Sequence, residues 1–348
     1  MNIKRYLLAG FVFISSNTFA QPNDMSLIPY RQGDKWGYAT PGKQVVINPK
    51  YEEANWFSEG YASVKLGGRY GYIDKEGKLV IPARYTVAKP FRKGYMPDPK
   101  KPAGDSLLFA GASLVASGEE ICINTKGMRL LKCPAINENA VQENLIPVKT
   151  IQSQKTYKLE NNSGLFDKVV DDYKIAGSDE TYYIAVKDNQ YGVFNSKFET
   201  IIPFQYTSIK INRNNTVPFL EVNKGGMYGV MLTDGKIAIA PEYSNFSVVD
   251  GPEGKEYVIL RKDGKVYVKD INNHDIISTG YSDIVYDKAG FIITGDNNMQ
   301  GYYFIDNSVI QPKYREIRWI NGSKYMLVKT SSGKTGYVSI TGEEFFID

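Results

Sequence analysis

Apolar and polar residues alternate along residues 61–66 (Tyr-Ala-Ser-Val-Lys-Leu), and the run stops at Gly67-Gly68. A period of two marks a strand with one covered face, and a Gly-Gly pair at its end marks a tight hairpin turn. Residues 70–74 predict a second strand, closed by Lys75-Glu76-Gly77-Lys78. Leu79-Val80-Ile81 predicts a third, stopped by Pro82, which has no N–H to give to a ladder. The stretch therefore reads as a three-stranded antiparallel meander followed by a connection.

The same order of residues recurs along the chain. Lys35-Trp36-Gly37-Tyr38 leads to Gly42-Lys43, Val45-Val46-Ile47, Pro49 and Tyr51. Tyr70-Gly71-Tyr72 leads to Tyr85, Tyr191-Gly192-Val193 to Tyr206, and Tyr228-Gly229-Val230 to Tyr243. In these four copies the glycine and the later tyrosine are 14 residues apart. Gly301 and Tyr314 are one residue closer, and Gly336-Tyr337-Val338 opens a last copy that runs to the end of the sequence. A degenerate copy keeps the distance with Tyr267 in the glycine place and Tyr281 after it. Another registers residues 111–127 over residues 61–77, and a third centres on Gly164-Leu165-Phe166. This makes about nine units at a usual period of 34 to 38 residues. Ordering about 35 residues costs roughly 35–70 kcal/mol of backbone entropy, more than a lone three-stranded sheet offsets, so neighbouring units must share a core. The expected fold is all-β: tandem three-stranded meanders stacked as an open solenoid-like array, with a propeller-like ring as the alternative. Residues 21–348 form the array, degraded near 95–180 and 255–290.

The repeated unit, an aromatic-Gly pair, a Gly-Lys turn, an apolar triplet, Pro and Tyr, resembles the bacterial WG-repeat family, also called KWG repeats. The resemblance covers residues from about 30 to 348. It implies a repeat architecture and no particular activity. Only Trp36 keeps the tryptophan of the signature; Tyr70, Tyr191 and Tyr228 replace it, and Gln300 and Thr335 lose the aromatic.

Composition narrows the functional classes. Of 348 residues 42% are hydrophobic and 23% charged, enough to bury a core. Tyr (26) and Gly (32) favour strands and turns. The formal charge of +4 is spread without a run of like sign, which argues against a nucleic-acid partner. A single histidine, His274, argues against His-rich metal sites and His-based triads. Lys4 and Arg5, an apolar stretch over residues 6–14, and small residues ending at Ala20 read as a signal peptide over 1–20, cleaved after Ala20. An uncleaved anchor is the alternative, but the stretch is shorter than the ~20 residues a span needs. The expected product is periplasmic or secreted and monomeric, without stable membrane insertion. In an oxidising compartment Cys122 and Cys133 are expected to pair as a structural disulfide, since no metal-type or CxxC spacing is present.

Candidate chemistry is sparse. Trp56 and Trp319 both lie five residues after a repeat tyrosine, where Pro90, Ile211, Val248 and Tyr286 stand in other copies. The position reads as an inter-repeat packing site rather than a sugar platform. The motif glycines are expected to let a neighbouring backbone or ring approach closely. Glycines 42, 77, 127, 235 and 342 are expected to carry positive φ in turns. Acidic pairs (Glu119-Glu120, Asp171-Asp172, Asp179-Glu180, Glu343-Glu344) fall in or beside turns and read as solvated surface. No cofactor and no metal are expected. Residues 94–106, with Pro97, Pro99 and Pro102, form an insertion loop that breaks the period; with residues 212–218 it is the best contact candidate. The sequence thus predicts a non-catalytic exported scaffold that binds a protein or an envelope polymer. A periplasmic immunity protein or inhibitor against a toxin or hydrolase is the alternative, and a cell-wall-active enzyme the second.

Overall fold

The computed structural model describes residues 24–98, 101–114, 120–134, 164–175, 177–213, 218–287, 289–320 and 322–348. The expected signal peptide over residues 1–20 lies outside them. The described residues form small β-sheets joined by tight turns, with one short 3-10 turn at Pro252–Gly254. No helix among them is long and apolar enough to cross a membrane. The chain divides into two compact units, one of residues 1–140, 320–324 and 345–348, the other of residues 141–319 and 325–344.

In the first unit, Val45–Tyr51, Lys35–Ala39, Ile28–Gln32 and Phe346–Ile347 form one sheet in that order. The last strand lies parallel to Ile28–Gln32, while the others run antiparallel. A second, seven-stranded sheet runs from Glu53–Ala54 through Ala62–Leu66, Arg69–Ile73, Leu79–Ala88 and Lys101–Leu114 to Glu120–Asn124, with Arg92–Asp98 paired to Lys101–Leu114. The second unit holds four four-stranded meanders. They start at Lys168–Lys174, Ser208–Asn212, Asn245–Asp250 and Asp283–Tyr286, and a three-stranded sheet starts at Glu316–Trp319.

The unit is all-β as its pattern implies, but its connection is itself a strand. In the second unit the residues after each repeat tyrosine, such as Ser208–Asn212, pair antiparallel with the next hairpin and open the next sheet, whereas Leu79–Ala88 runs on past Tyr85 within one sheet. A repeat of the second unit thus spans two sheets: its tyrosine ends one and its next residues begin another.

The motif glycine sits at a break in register. Trp36 pairs with Tyr51 and Tyr38 with Ile47, leaving a bulge opposite Gly37, and the same shift recurs opposite Gly71, Gly192 and Gly229. A Cβ on Gly37 would lie 2.1 Å from the Ile47 carbonyl oxygen, on Gly71 2.5 Å from that of Ile81, and on Gly229 2.5 Å from that of Ile239. Only a residue without a side chain fits beneath the bulged strand. The degenerate copy solves the same problem in reverse. Tyr267 takes the glycine place, and Gly280, on the facing strand, clears its ring: a Cβ there would lie 2.8 Å from the Tyr267 hydroxyl. Although degraded in sequence, residues 245–281 therefore form a complete four-stranded sheet.

Successive sheets share their cores. One cluster joins Ile184, Val193, Ile202 and Tyr206 to Ile209, Leu220, Val222 and Met231 of the next sheet. In the first unit Ile47 packs beneath the turn at Gly77, where an added Cβ would stand 3.1 Å from its Cγ2, and Ile81 packs beneath Gly127 in the same way. The Tyr51 hydroxyl donates to the Gly77 carbonyl, and the Tyr85 hydroxyl to that of Gly127. Each tyrosine and isoleucine thus seat the turn of the sheet that follows.

Three placements depart from expectation. Trp56 and Trp319 are half-buried; the closed packing position is two residues nearer the tyrosine, where Ala54, Ile209, Ile284 and Ile317 are buried. The alternating strand explains this, because both positions face the same side while the nearer one lies deeper between sheets. In the first turn the left-handed residue is Lys43 (φ 62°), not Gly42; Gly77, Gly127, Gly235 and Gly342 do carry positive φ. The insertion is an antiparallel hairpin of Arg92–Asp98 and Lys101–Leu114 rather than a loop. Pro97 falls at its register shift, where no ladder hydrogen bond is required of it.

Candidate functional site

The element that breaks the repeat is this hairpin of the first unit. Its long strand, Lys101–Leu114, also pairs with the end of Leu79–Ala88 (Val87 with Ser113, Ala88 with Ala112) and with Glu120–Asn124. The root is packed tightly. Phe91 is buried against the rings of Tyr61 and Tyr72, and its carbonyl accepts a 2.7 Å hydrogen bond from the Ser58 hydroxyl. The Arg92 guanidinium lies over the Phe109 ring at 5.2 Å. Gly94 allows close approach, since a Cβ there would come within 2.4 Å of the Phe109 ring and 2.8 Å of Pro134. The hairpin is therefore a fixed projection of the sheet, anchored at its base.

Beside it, Cys122 and Cys133 are joined by a disulfide. The closed loop carries Lys126, Met128, Arg129, Leu131 and Lys132, all exposed. Between Asn124 and Pro134 there is no acidic residue. Tyr72 pairs with Ile81 across the corresponding strands of the preceding module. Here Cys122, in the place of Tyr72, is bonded to Cys133, and only an isolated bridge joins Ile123 to Arg129.

The repeat tyrosines carry a feature that strand patterning does not reveal: a cation over the ring. Lys50 covers Tyr51, Arg84 Tyr85 and Lys313 Tyr314, each from the preceding position at 5.2–5.3 Å. Tyr206 and Tyr243 are covered by Lys224 and Lys262 of the next hairpin, which are held by Gln205 and Glu242. Among the signature aromatics Trp36 is buried, Tyr70 and Tyr191 are half-buried, and Tyr228 is exposed. Tyr70 donates to Glu53. Burial pushes the Glu53 carboxyl up, but hydrogen bonds from Lys65 and Tyr70 outweigh it and hold the group below its ordinary range. Burial and, for Tyr314, the bond to Glu344 push the Tyr72, Tyr302 and Tyr314 hydroxyls well up.

The acidic pairs do not converge. Asp171 pairs with Arg213, Glu120 with Lys89, and Glu344 with Lys313 and Tyr314, while the Glu180 carboxylate accepts from Tyr182. Glu119 lies outside the described residues. His274 is exposed and contacts Asp270 at 2.8 Å within its own turn. Of residues 212–218, 214–217 lie outside the described residues; Asn212 donates to Glu221 and Arg213 reaches Asp171 and Asp172. Among the described residues no group of three metal-ligating side chains comes together. The arrangement offers binding surfaces on projections from its sheets.

A family model described as a WG containing repeat matches residues 36–70, 70–96 and 191–228. No curated protein matches the chain. Among solved structures the chain is similar to BBS1N crystallised in complex with ARL6DN, at 11% identity over 50% of this chain and 63% of that one, with a TM-score of 0.22. It is similar also to PorZ, a bacterial surface component of the type-IX secretion system of Porphyromonas gingivalis, at 13% identity, 85% and 37% coverage and a TM-score of 0.25. The Dos1 propeller gives 14%, 86%, 81% and 0.24. The chain spans less than two thirds of the first two. At these scores the likenesses carry neither a sheet arrangement nor a partner over to this chain.

Proposed function

We propose that the chain, three stretches of which match a WG containing repeat, is a non-catalytic, exported scaffold that holds a protein or envelope ligand on the insertion hairpin of residues 92–114. The single observation behind this reading is that hairpin. It is an addition to the repeat that contributes no further sheet to the stack, yet its root is packed by Phe91, Phe109 and Ser58. Projections held by a rigid scaffold are where recognition residues concentrate. Export supplies the setting in which a Cys122–Cys133 disulfide persists.

The test replaces residues 95–106 with a two-residue Asn-Gly turn and captures partners from periplasmic extract with both forms. The supported outcome is a partner retained by the intact chain and lost by the shortened one, with both melting within about 2 °C of each other. A partner retained equally by the shortened form refutes the hairpin as the holding element. Export is checked by N-terminal sequencing, with Gln21 expected as the first residue.

A further inference from the structure

In five of the repeat turns an isoleucine stands four residues after the left-handed position. Ile47, Ile81, Ile202, Ile239 and Ile277 follow Lys43, Gly77, Phe198, Gly235 and Asn273 in this way, and all are 4% exposed or less. In the disulfide-bonded copy the residue four after Gly127 is Leu131, and it is fully exposed at 108%. The cause is local. The Leu130 amide bonds the Cys122 carbonyl at 2.7 Å and Cys133 is tied to Cys122, so the chain turns out of the sheet where the preceding copy lays down Leu79–Ala88. A side chain of core type is thereby presented outward with Met128, which is 55% exposed. Lys126 and Lys132 are exposed in the same loop, and the sequence from Asn124 to Pro134 holds no acid.

The geometry points to a second binding element, distinct from the insertion hairpin: the 122–133 loop docks on an anionic lipid surface, inserting Leu131 and Met128 between headgroups while Lys126 and Lys132 contact the phosphates. Charge complementarity selects the ligand, because two exposed lysines in one loop with two exposed apolar side chains match an anionic interface on both counts. Size selects a membrane over an acidic protein. The cysteines are 11 positions apart, whereas a stable protein interface engages about 20–30 residues a side. A lipid surface has no such minimum, since each cation and each buried methylene adds separately. The disulfide fixes the loop before contact, so little ordering entropy is lost on binding.

The test is co-sedimentation of the full chain with phosphatidylcholine vesicles with and without phosphatidylglycerol. The expected result is binding to the anionic vesicles only, weakened about fivefold per cation in Lys126→Gln and Lys132→Gln. Leu131→Ser is expected to weaken it about tenfold at unchanged melting temperature. The form with residues 95–106 shortened should bind vesicles as the intact chain does, which separates failure of this element from failure of the hairpin. Absence of binding to anionic vesicles, or equal binding by Leu131→Ser, overturns the inference. So does loop-dependent binding to poly-glutamate without binding to vesicles, which would assign the loop to an acidic polypeptide.

Discussion

Replacing Gly71 by alanine tests the physical basis of the repeat directly. An added Cβ would stand 2.5 Å from the Ile81 oxygen, 2.8 Å from the Ala83 nitrogen and 3.0 Å from the Ala83 Cα, all backbone atoms. No rotamer change relieves such a contact, so the Leu79–Ala88 strand must retreat by roughly 1 Å to reach van der Waals separation. That retreat breaks the pairings of Tyr70 with Tyr85 and of Tyr72 with Ile81, both next to the bulge. Two buried peptide groups left without partners cost about 2–6 kcal/mol together. The lower chain entropy of alanine returns about 0.5–1 kcal/mol. The net loss of a few kcal/mol corresponds to a fall in melting temperature of about 5–15 °C in a unit of this size. Gly42→Ala is the control. Its nearest heavy atom would be 3.8 Å away and its φ is not left-handed, so it should melt with the parent or slightly above. Calorimetry on the full-length chain reads both. The reasoning is refuted by a Gly71→Ala chain that melts within about 2 °C of the parent, or by a Gly42→Ala chain that loses as much.

Two further outcomes follow from the same structure. Asp348→Ala removes the carboxylate that meets the buried Arg31 guanidinium, and it should cost about 1–3 kcal/mol. Amide exchange at Arg31 and Gly33, whose N–H groups donate to Phe345 and Ile347, should then accelerate; unchanged protection would show that the pair does not hold the strand. Tyr72, Tyr302 and Tyr314 have hydroxyls raised above their ordinary value, with burial the largest cause. Because the folded state keeps them protonated, their stabilisation is fully present below about pH 10 and is lost as pH rises further. Absorbance titration should show these tyrosines ionising together with loss of strand signal. Independent ionisation in a folded chain would contradict their burial.

Much of the fold was legible because the unit repeats. The fixed spacing of Gly37 to Tyr51 and its copies marks the unit, and close approach of a neighbouring backbone to the glycine is intelligible before any coordinate, whereas the bulge opposite it is not. The strand after the tyrosine was harder to see. Ser208–Asn212 is short, alternates across a unit boundary and pairs with the following copy, so a reading confined to one unit takes it for a connection. The half-burial of Trp56 and Trp319 was hidden for a related reason: residue type reports that a side is covered, not how deeply. The parallel pairing of Phe346–Ile347 with Arg31–Gln32 joins segments more than 300 residues apart and leaves no local signal. Of the candidate surfaces, the insertion was visible as a break in period, but three prolines suggested a loop where a hairpin forms. The cationic loop could have been found from the absence of acids over residues 124–134; the exposure of Leu131 could not, since its register predicts a core residue.

The cations over the tyrosines give the array a direction. Modules ending at Tyr51, Tyr85 and Tyr314 bring their own lysine or arginine and are self-sufficient. Those ending at Tyr206 and Tyr243 bring an acceptor instead and borrow Lys224 and Lys262 from their successors. A lysine recurs at the matching place of these hairpins, as Lys187, Lys224 and Lys262, so each such module leans on whichever copy follows it. The dependence is on position rather than on one particular neighbour, so these modules are coupled in sequence yet remain interchangeable at that contact.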